Sequence, residues 1–491
     1  MIESAHSRNA MISSLVYMQI WLVRFYILML IGMAFYGWLG LVTLWIYWRQ
    51  PRRIRPNSPI PTDWPTVTVQ LPVYNEPTVI NRLINAVAQI DYPIDKLQIQ
   101  VLDDSTDETT ELAKERVAYY QAQGISIKLY HRENRHGYKA GALADGMNSA
   151  EGEFIAIFDA DFCPTPQFLR ETIPPLLHNT QLGNVQTRWT YLNDRDSSLT
   201  TAEAIALDKQ FTTEKTVRSQ ARLFPKFNGS GGVWRRDCLL DAGGWHADTL
   251  CEDMCISTRA ILSGWEFAYL YNVETPSELP TTIGAYKVQQ ARWATGAVQC
   301  FVKYFRPMLF NRDLRWFARI YALVAMGAHF ANALFIGLLL LQIPILYYQI
   351  QLPAYLSIFT IFAFGHPILL VLGQRVLHRT DKRRFRHIPA MFLLSVGISL
   401  NQTRAVFKGL FGNWRTKSYV FDRTPKGNRQ QVARQLRFDW FIVLEILLAL
   451  YVLFGVAIAV QWGAYGSLFV LLLMLAGLTY VIGLGLSDQF D

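Results

Sequence analysis

Five long apolar runs constrain this chain more than any other feature of its sequence. The first, Phe25–Tyr47, has 23 residues and no charge, which is enough to cross a bilayer core of about 30 Å. Four comparable runs follow, at Tyr321–Ile343, Pro353–Gly373, Trp440–Val460 and Ser467–Leu486. The first run exceeds the apolar core of a signal peptide and lacks a small-residue cleavage site, so we expect a retained anchor. The pattern predicts an integral membrane protein with about five spans.

The charged residues are few and unevenly distributed. They make up 17% of the sequence, against roughly 25% in soluble proteins, which agrees with a chain partly embedded in lipid. The formal net charge is +9, but residues 375–437 hold 15 Lys and Arg against Asp381 and Asp422. That segment alone carries +13, so the remainder of the chain sums to −4. A uniformly basic nucleic-acid-binding protein is disfavoured, and we expect no nucleic acid among the partners.

The loops between the apolar runs predict the orientation in the membrane. The connections around Tyr347–Leu352 and Gln461–Gly466 carry no Lys or Arg, whereas the segments after the first and third runs are strongly basic. Basic short loops stay in the cytoplasm. We therefore expect residues 49–320 and 375–437 on the cytoplasmic side of a plasma or inner membrane.

Two further apolar stretches are too short to span a membrane. Ile388–Leu400 has about 13 residues between arginines, and Cys300–Trp316 alternates Phe and Leu with Lys and Arg. Both patterns are typical of helices that lie in the membrane interface.

Residues 66–192 alternate short β-branched runs with helical patterns. The predicted strands are Thr66–Val73, Leu97–Leu102, Ser126–Tyr130, Phe154–Asp159 and Asn184–Leu192. The predicted helices between them are Pro77–Ile90, Asp107–Gln123, Tyr138–Ala150 and Pro166–Leu177. This alternation indicates an α/β domain with a mainly parallel sheet. Neither a GxGxxG nor a GxxxxGK[ST] motif is present, so dinucleotide binding and P-loop hydrolysis lose their main support.

Acidic and polar side chains follow the predicted strands. Tyr74 and Glu76 come after the first strand, Asp103 and Asp104 after the second, and Asp159 and Asp161 after the fourth. Ligands of open α/β sheets bind beyond the carboxyl ends of the strands. Mg²⁺ or Mn²⁺ typically uses one or two carboxylates together with substrate phosphates. The pattern predicts a divalent-metal site at Asp159 and Asp161.

An ordered set of motifs resembles the processive membrane glycosyltransferases of family 2, which include cellulose synthase and the cellulose synthase-like A and C types. The motifs are LPVYNE (71–76), VLDDSTD (101–107), RENRHGYKAGAL (132–143), IFDADF (157–162), VQTRW (185–189), FNGSGGVWR (227–235), GGW with CEDM (243–254), SELP (277–280), QQARW (289–293) and FDRTPKG (421–427). The resemblance covers roughly residues 60–430. It implies a GT-A catalytic domain in the cytosol, a divalent metal and a bundle of about five transmembrane helices with interfacial helices.

The resemblance also implies a division of the chain. Its parts are a tail (1–24), a first span (25–48), a basic linker (49–64), the GT-A domain (65–299), an interfacial helix (300–317), spans two and three (318–374), a cytosolic interfacial helix with a gating-like loop (375–437) and spans four and five (438–487).

Roles follow from the motif positions. The resemblance implies a nucleotide-sugar site formed by Tyr74, Glu76, Asp103, Lys139, Gln289, Arg292, Thr424 and Lys426. It implies an acceptor site formed by Trp293, Phe227, Asn228 and Glu252. Asp159 and Asp161 match the family's metal pair, for Mg²⁺ or Mn²⁺. Asp253 matches the last residue of the T-E-D motif and is implied as the general base of an inverting displacement.

Two positions depart from the family pattern. Cys251 stands where the T-E-D motif has Thr, a change expected to alter packing more than chemistry because both acids are retained. Arg423 replaces Val in the F-x-V-T-x-K loop that closes over the nucleotide in cellulose synthases. A plain basic loop next to the membrane would also explain part of this segment.

The resemblance favours a processive enzyme that builds a β-linked glucan or mannan, with β-1,4 linkage, and exports it between its spans. Its expected partners are UDP-glucose or GDP-mannose, the growing polysaccharide and membrane lipids. A glycosyltransferase that adds one sugar to ceramide or diacylglycerol would use the same catalytic residues. A transporter or channel whose soluble domain senses nucleotide is the alternative from another class.

Polar residues inside the apolar runs leave two interpretations open. They are His329, Asn332, His366 and Glu445. Ionisable groups within a membrane usually face a bundle interior or a water-filled path. Alternatively, Glu445 lies near the interface or is neutralised by a neighbouring residue.

Overall fold

The computed structural model describes residues 2–49, 59–379, 381–412, 427, 432 and 439–490, with side chains for all of these except 2–13, 382, 489 and 490. Thr424 and Lys426, predicted for the nucleotide site, lie outside the described residues, as does Arg423.

A seven-stranded sheet forms the centre of the soluble domain. The strands are β1 (Val67–Val73), β2 (Leu97–Asp103), β3 (Ile127–His131), β4 (Phe154–Ile157), β5 (Leu182–Tyr191), β6 (Gly232–Arg235) and β7 (Glu266–Ser277). Their order is β3-β2-β1-β4-β6-β5-β7, with β6 antiparallel to both of its neighbours and the other pairs parallel. The predicted α/β domain is confirmed, as a mixed sheet. We did not predict β6 or β7, because the predicted alternation of strands and helices covers only residues 66–192.

Helices cover the sheet and continue into a membrane bundle. In chain order they are α1 (Ile2–Arg49), α2 (Ile80–Ala88), α3 (Thr109–Gln121), α4 (Tyr138–Met147), α5 (Phe168–His178), α6 (Ser198–Lys209), α7 (Lys215–Gln220), α8 (Arg236–Asp241), α9 (Glu252–Leu262), α10 (Ile283–Phe310), α11 (Trp316–Met326), α12 (Phe330–Tyr347), α13 (Gly365–Leu377), α14 (Ile388–Gly397), α15 (Ser399–Phe411), α16 (Ile442–Gln461) and α17 (Tyr465–Phe490). Strand β1 is buried along its whole length, because helices pack on both faces of the sheet.

Within the described residues, five helical segments are long and apolar enough to cross a membrane. They are Ser14–Arg49, Phe330–Tyr347, Ala354–Leu377, Ile442–Gln461 and Tyr465–Asp488. The predicted five spans are thus confirmed in number, with two differences in detail. The run Tyr321–Ile343 is divided between α11 and α12, and Ala354–Phe364 is a 3₁₀ helix that leads into α13.

The first and third of these segments meet along a seam of glycines. A Cβ atom on Gly37 would lie 2.4 Å from the carbonyl oxygen of Phe362, and one on Gly365 would lie 2.5 Å from the backbone nitrogen of Leu41. Gly40 packs equally closely, with a Cβ position 2.9 Å from the nitrogen of His366. The two backbones are therefore in direct contact, as small residues permit between membrane helices.

At the junction between the soluble domain and the membrane bundle, one helix has different bounds from those we predicted. We predicted a separate interfacial helix over 300–317, but Cys300 lies inside α10, which runs unbroken to Phe310, and Trp316 begins α11. Helix α10 starts at Ile283, six residues before the QQARW motif, and continues past it, so a single helix joins the site to the bundle. The short apolar stretch at Ile388–Leu400 forms α14 and the beginning of α15.

Candidate active site

One cavity of about 610 Å³ connects the carboxyl ends of β1 and β4 with the membrane helices. At the sheet end it is lined by Tyr74, Glu76, Asp104, Arg135, Lys139, Asp159 and Asp161. In its middle it is lined by Asn228, Gly229, Cys251, Glu252, Asp253, Gln289, Arg292 and Trp293. At the membrane end it is lined by Gln290, His329, Asn332, Ser395, Ile398 and Gln402.

Lys139 lies at the centre of an acidic cluster. Its Nζ atom is 2.5 Å from Oδ1 of Asp159 and 3.5 Å from Oε1 of Glu252, and it donates to the carbonyl of Gly229 at 2.9 Å. Helix α4 supplies the lysine, while the loop after β4 and helix α9 supply the two acids, so three segments converge on one point. The structure thus brings together residues that are more than a hundred positions apart in the sequence.

Burial and charge act in opposite directions in this cluster. Burial alone would lower the pKa of Lys139, but Asp159, Glu252 and Asp253 raise it above its ordinary value. Burial raises the pKa of Asp159, and Lys139 offsets this only in part. Burial also raises the pKa of Glu252. The ammonium group therefore stays charged, and it neutralises part of a concentrated negative charge.

Asp253 lies in the first turn of α9 and faces the cavity. Its Oδ1 atom accepts a hydrogen bond from the backbone nitrogen of Met254 at 2.8 Å. The opposing wall is Gly229, which has a φ of +85° and whose Cβ position would lie 3.4 Å from Nζ of Lys139 and 3.6 Å from Oδ2 of Asp253. A glycine here keeps side-chain atoms out of the space between lysine and acid.

Cys251, the departure from the T-E-D motif, packs against α10. A Cβ atom on Gly296 would lie 2.4 Å from the Cys251 sulfur, so the two elements are in close contact at this point. The cysteine precedes α9 and makes no side-chain cap for it, although the Thr of the family motif could accept from the helix backbone. The expectation that the substitution alters packing more than chemistry stays a prediction.

The sheet end of the cavity contains a stacked pair. The guanidinium carbon of Arg135 lies 3.3 Å from the ring centroid of Tyr74 and 4.9 Å from that of Tyr138. Tyr74 and Glu76 both line the cavity here, where the resemblance implies the nucleotide base. We did not single out Arg135, although it belongs to the RENRHGYKAGAL motif.

Asp103 does not reach the cavity. Its side chain is fully buried and binds Nδ1 of His131 at 2.8 Å, the hydroxyl of Thr110 at 2.7 Å and the backbone nitrogen of Ser105 at 3.0 Å. Burial alone would raise the pKa of this carboxyl, but the hydrogen bonds from Ser105, Thr110 and His131 hold it below its usual range. Its neighbour Asp104 lines the cavity instead and is held by Arg132 through two hydrogen bonds of 2.7 and 2.6 Å.

Phe227 also lies away from the cavity. Its ring is fully buried and packs edge-on against Trp234, with centroids 5.5 Å apart. The next residue, Asn228, lines the cavity, and its backbone nitrogen donates to Gln186 Oε1 at 2.9 Å. Phe227 anchors this loop, and Asn228 and Gly229 face the site.

Helix α10 contributes Gln289, Arg292 and Trp293 to the cavity wall. The Oε1 atom of Gln289 is buried and has no hydrogen-bond partner among the described residues, so it is available to a hydroxyl donor. Trp293 packs on the apolar cluster formed by Ala204, Leu207, Phe211 and Leu279. The helix thus presents an amide, a cation and an aromatic ring side by side.

The described residues supply some, but not all, of the ligands that a divalent metal needs. Asp159 and Asp161 both line the cavity at the end of β4, and carboxylate oxygens are the ligands that Mg²⁺ and Mn²⁺ prefer. No group of three or more His, Cys, Asp or Glu side chains with metal-binding geometry occurs among the described residues. A metal here would take its remaining ligands from the phosphates of a substrate and from water.

The polar residues in the apolar runs separate into two groups. His329 and Asn332 line the membrane end of the cavity, together with Ser395 and Gln402, which we did not predict. Glu445 instead binds Nζ of Lys287 at 2.7 Å, so the second interpretation, neutralisation by a neighbour, describes it. The helical pattern of α14 and α15 carried no signal for Ser395 or Gln402, because they face the cavity only through tertiary packing.

Comparisons with known proteins agree with this geometry. The family described as "Glycosyltransferase like family 2" matches residues 65–296. Glucomannan 4-beta-mannosyltransferase 2 of Arabidopsis thaliana is 33% identical over 83% of this chain and 78% of its own length. Glucomannan 4-beta-mannosyltransferase 1 of Oryza sativa subsp. japonica is 35% identical over 76% of this chain and 73% of its own length.

A solved structure supports the fold. Mannosyltransferase PcManGT from Pyrobaculum calidifontis, in complex with GDP-Man and Mn²⁺, matches with a TM-score of 0.55 and 20% identity. The match covers 80% of this chain and 99% of that protein. The predicted resemblance and GT-A-type fold are both confirmed. With these motifs, this cavity and these relatives, the chain belongs to the family 2 glycosyltransferases, in the group that includes the glucomannan 4-beta-mannosyltransferases.

Proposed function

We propose that this glycosyltransferase transfers mannose from GDP-mannose to the growing end of a β-1,4-linked mannan or glucomannan and passes the chain into the membrane. Relatives that span most of this chain are named glucomannan 4-beta-mannosyltransferases, and the solved relative holds GDP-Man. These names and the bound GDP-Man favour GDP-mannose as the donor, whereas the sequence left both UDP-glucose and GDP-mannose open. The proposed site faces the cytoplasm of a plasma or inner membrane, because the basic segments flank it.

A single observation carries the proposal. The cavity that contains Asp159 and Asp253 continues without interruption to His329, Asn332 and Gln402 between the membrane helices. A soluble donor and an acceptor that enters the bundle would meet midway, beside Trp293. The membrane end is lined by amides, a hydroxyl and an imidazole, which suit the hydroxyl groups of a sugar chain better than the acyl chains of a lipid acceptor.

The sheet end is proposed to bind the donor. Tyr74, Glu76 and Arg135 would hold the guanosine, and Arg292 and Lys139 would pair with the diphosphate. Lys139 is bound to Asp159 in the structure, so donor binding would transfer its ammonium from a carboxylate to a phosphate. Asp159 would thereby become available as a ligand.

Asp159 and Asp161 would hold a divalent ion, Mg²⁺ or Mn²⁺, beside the diphosphate. When bound, such an ion stabilises the negative charge that develops on the departing group. Thr424 and Lys426 remain proposed for closure over the nucleotide. The described residue that follows them, Gly427, accepts a hydrogen bond from the hydroxyl of Thr281 at 3.2 Å, next to the start of α10.

Asp253 is proposed as the general base. It takes the proton of an acceptor hydroxyl while that oxygen attacks the anomeric carbon of the donor sugar. The bond from that carbon to the diphosphate oxygen breaks, and GDP leaves with both electrons of that bond. This single displacement inverts the α-linked donor to a β-linked product. Trp293 would stack on the terminal sugar, and Asn228 and Glu252 would bind its hydroxyl groups.

The test uses the purified full chain in proteoliposomes, with radiolabelled GDP-mannose and UDP-glucose supplied separately with Mn²⁺. We expect incorporation from GDP-mannose into a water-insoluble product that an endo-β-mannanase digests, and loss of incorporation on addition of EDTA. Incorporation from UDP-glucose alone would contradict the proposed donor. A product that extracts into organic solvent and resists the mannanase would instead identify a lipid glycosyltransferase.

A further inference from the structure

Helix α10 connects the catalytic site to the membrane bundle through contacts near its first turns. The backbone nitrogen of Ile283 donates to Oδ2 of Asp488, on α17, at 2.7 Å. Thr282 caps the same helix, and its hydroxyl accepts from the nitrogen of Ala285 at 3.2 Å. The start of α10 is therefore attached to the fifth span by an acidic group, the charge that a helix N-terminus favours.

One turn later, an ion pair attaches α10 to the fourth span. Nζ of Lys287 lies 2.7 Å from Oε1 and 2.8 Å from Oε2 of Glu445, in the first turn of α16. The side chain of Glu445 has no exposed surface, and only 9% of the Lys287 side chain is exposed. Asp439 lies 3.7 Å from the same ammonium. A buried charge of this kind is strongly unfavourable unless its partner is held at this distance.

Helix α15 fixes α10 from another side. Nδ2 of Asn401 donates to the carbonyl of Lys287 at 3.1 Å, and the hydroxyl of Thr295 donates to the carbonyl of Ala405 at 3.1 Å. The two helices are so close that a Cβ atom on Gly409 would lie 2.9 Å from the carbonyl oxygen of Thr295. Contacts before and after the QQARW motif therefore restrict both rotation and sliding of α10.

The position of the ion pair matters because of helix geometry. Gln289, Arg292 and Trp293 follow Lys287 by two, five and six residues on a continuous helix. With a rise of about 1.5 Å per residue, all three lie within about 9 Å of Lys287 along the axis. A shift of α10 against α16 would move the diphosphate-facing and sugar-facing side chains by the same amount.

We propose that Lys287 and Glu445 are a positioning pair for sugar transfer, which holds Arg292 and Trp293 in register with the membrane bundle. This inference rests on the proposed function and adds to it. An apolar pair of similar volume would pack in the same place, since buried ion pairs seldom contribute more to stability than apolar replacements. An ion pair, however, defines one distance between two side-chain ends, and a slipped register would separate the charges.

The test compares kcat with KM in the full chain reconstituted in proteoliposomes. The double variant Lys287→Met with Glu445→Leu removes both charges and keeps the volume, so we expect it to fold with a thermal midpoint near that of the unchanged chain. We expect its kcat for sugar transfer to fall at least fivefold, by a larger factor than any rise in the KM of the nucleotide sugar. The single variant Glu445→Gln should lower kcat and the thermal midpoint together, because it leaves a buried ammonium.

The matched control is Asp91→Asn, which breaks an ion pair with Arg170 on the surface of the soluble domain, where the two bonds are 2.7 and 2.9 Å long. We expect it to leave kcat within twofold. A folded double variant with an unchanged kcat would overturn the proposal, as would a rise in the donor KM without a change in kcat. If the unchanged chain transfers glucose and not mannose, the proposed donor fails, but the same comparison is made with that donor.

Discussion

The two ends of the cavity differ in the way they use charge. At the sheet end, Lys139 pairs with Asp159 and Glu252 inside the cavity, within reach of a ligand. At the membrane end, neutral groups such as Asn332 and Gln402 line the wall, with Lys226 in the same lining, and the ion pair of Glu445 lies outside it. Charge is thus concentrated where a diphosphate would bind and sparser where a neutral sugar chain would pass.

This difference suits the two substrates of the proposed reaction, which have opposite character. A diphosphate requires cations that can exchange one anionic partner for another, and the Lys139 cluster contains such a cation. A moving glycan requires weak hydrogen bonds that form and break readily, and amide side chains supply them. Variants at Asp253, Gly229 and Gln402 test whether the two ends can be changed independently.

The largest effect is expected at the point where the two ends meet. Asp253→Asn removes the proposed base and keeps its volume, so transfer should fall by about 100-fold to 10,000-fold. The helix start loses one negative charge, which costs about 0.3–1 kcal/mol of folding free energy. Transfer is measured with radiolabelled donor, and GDP affinity by calorimetry. A variant that retains normal transfer would mean that Asp253 is not the base.

A second prediction concerns charge used for stability at Glu214, which does not itself line the cavity although its partner Lys209 does. Glu214, in the single π-helical turn Gln210–Glu214, binds Lys209 at 3.0 Å and Arg218 at 3.4 Å. Burial alone would raise the pKa of Glu214, but these cations lower it to about 2, below its ordinary 4.5. The resulting stability, about 3 kcal/mol, is complete above pH 4.5 and is lost as the pH falls towards 2.

We therefore expect the free energy of unfolding to fall by about 2 kcal/mol more in the unchanged chain than in Glu214→Gln between pH 6 and pH 3. Chemical unfolding in detergent, followed by tryptophan fluorescence, measures the difference. Equal pH dependence in the two proteins would show that this carboxylate is not stabilised in the folded state.

A third prediction distinguishes two effects of replacing a glycine by alanine. One is the space that the methyl group fills at the sheet end of the cavity, and the other is the strain in a backbone with positive φ. Gly229 and Gly244 both have positive φ, +85° and +68°, but only the Cβ position of Gly229 contacts the site; that of Gly244 has nothing within 4 Å. Replacing either by alanine should cost about 1–2 kcal/mol of stability. Only Gly229→Ala should also lower transfer, by about 10-fold to 100-fold, because its methyl group would lie between Lys139 and Asp253. Equal activities of the two variants would contradict this assignment.

The smallest effect is expected at the membrane end. Gln402→Leu removes an amide that lines the cavity and binds Gln290 at 3.4 Å. We expect the KM of an oligosaccharide acceptor to rise about fivefold to 20-fold, which corresponds to one or two lost hydrogen bonds, and the KM of the donor to stay constant. The control is Gln123→Leu, on the exposed surface of the soluble domain. A rise in donor KM would show that the two ends are not independent.

The sheet end and the membrane end of the cavity also differ in how much of each could be predicted from the sequence. The sheet end was predictable because strand ends and motifs lie close together in the chain, as for Asp159 and Asp161. Within a motif, however, the pattern did not distinguish the cavity-lining Asp104 from the buried Asp103, or Asn228 from Phe227, because orientation depends on packing. The resemblance supplied the residue types but not which of two neighbours faces the site.

The membrane end was less predictable. Lys287 and Glu445 are 158 positions apart, and nothing local in either sequence indicates the other. The break between α11 and α12 and the unbroken course of α10 follow from contacts between helices, which apolar periodicity does not encode. Composition predicted how many spans there are, but not which side chains turn inward.

The glycine seam between the first and third spans has a consequence for the path of a polymer. Backbones that touch at Gly37, Gly40 and Gly365 leave no width for even a methyl group, so this side of the bundle acts as a closed wall. A sugar ring is many times wider than that gap. Any conduit would therefore lie away from this seam, among α10, α12, α14 and α15, whose residues line the cavity.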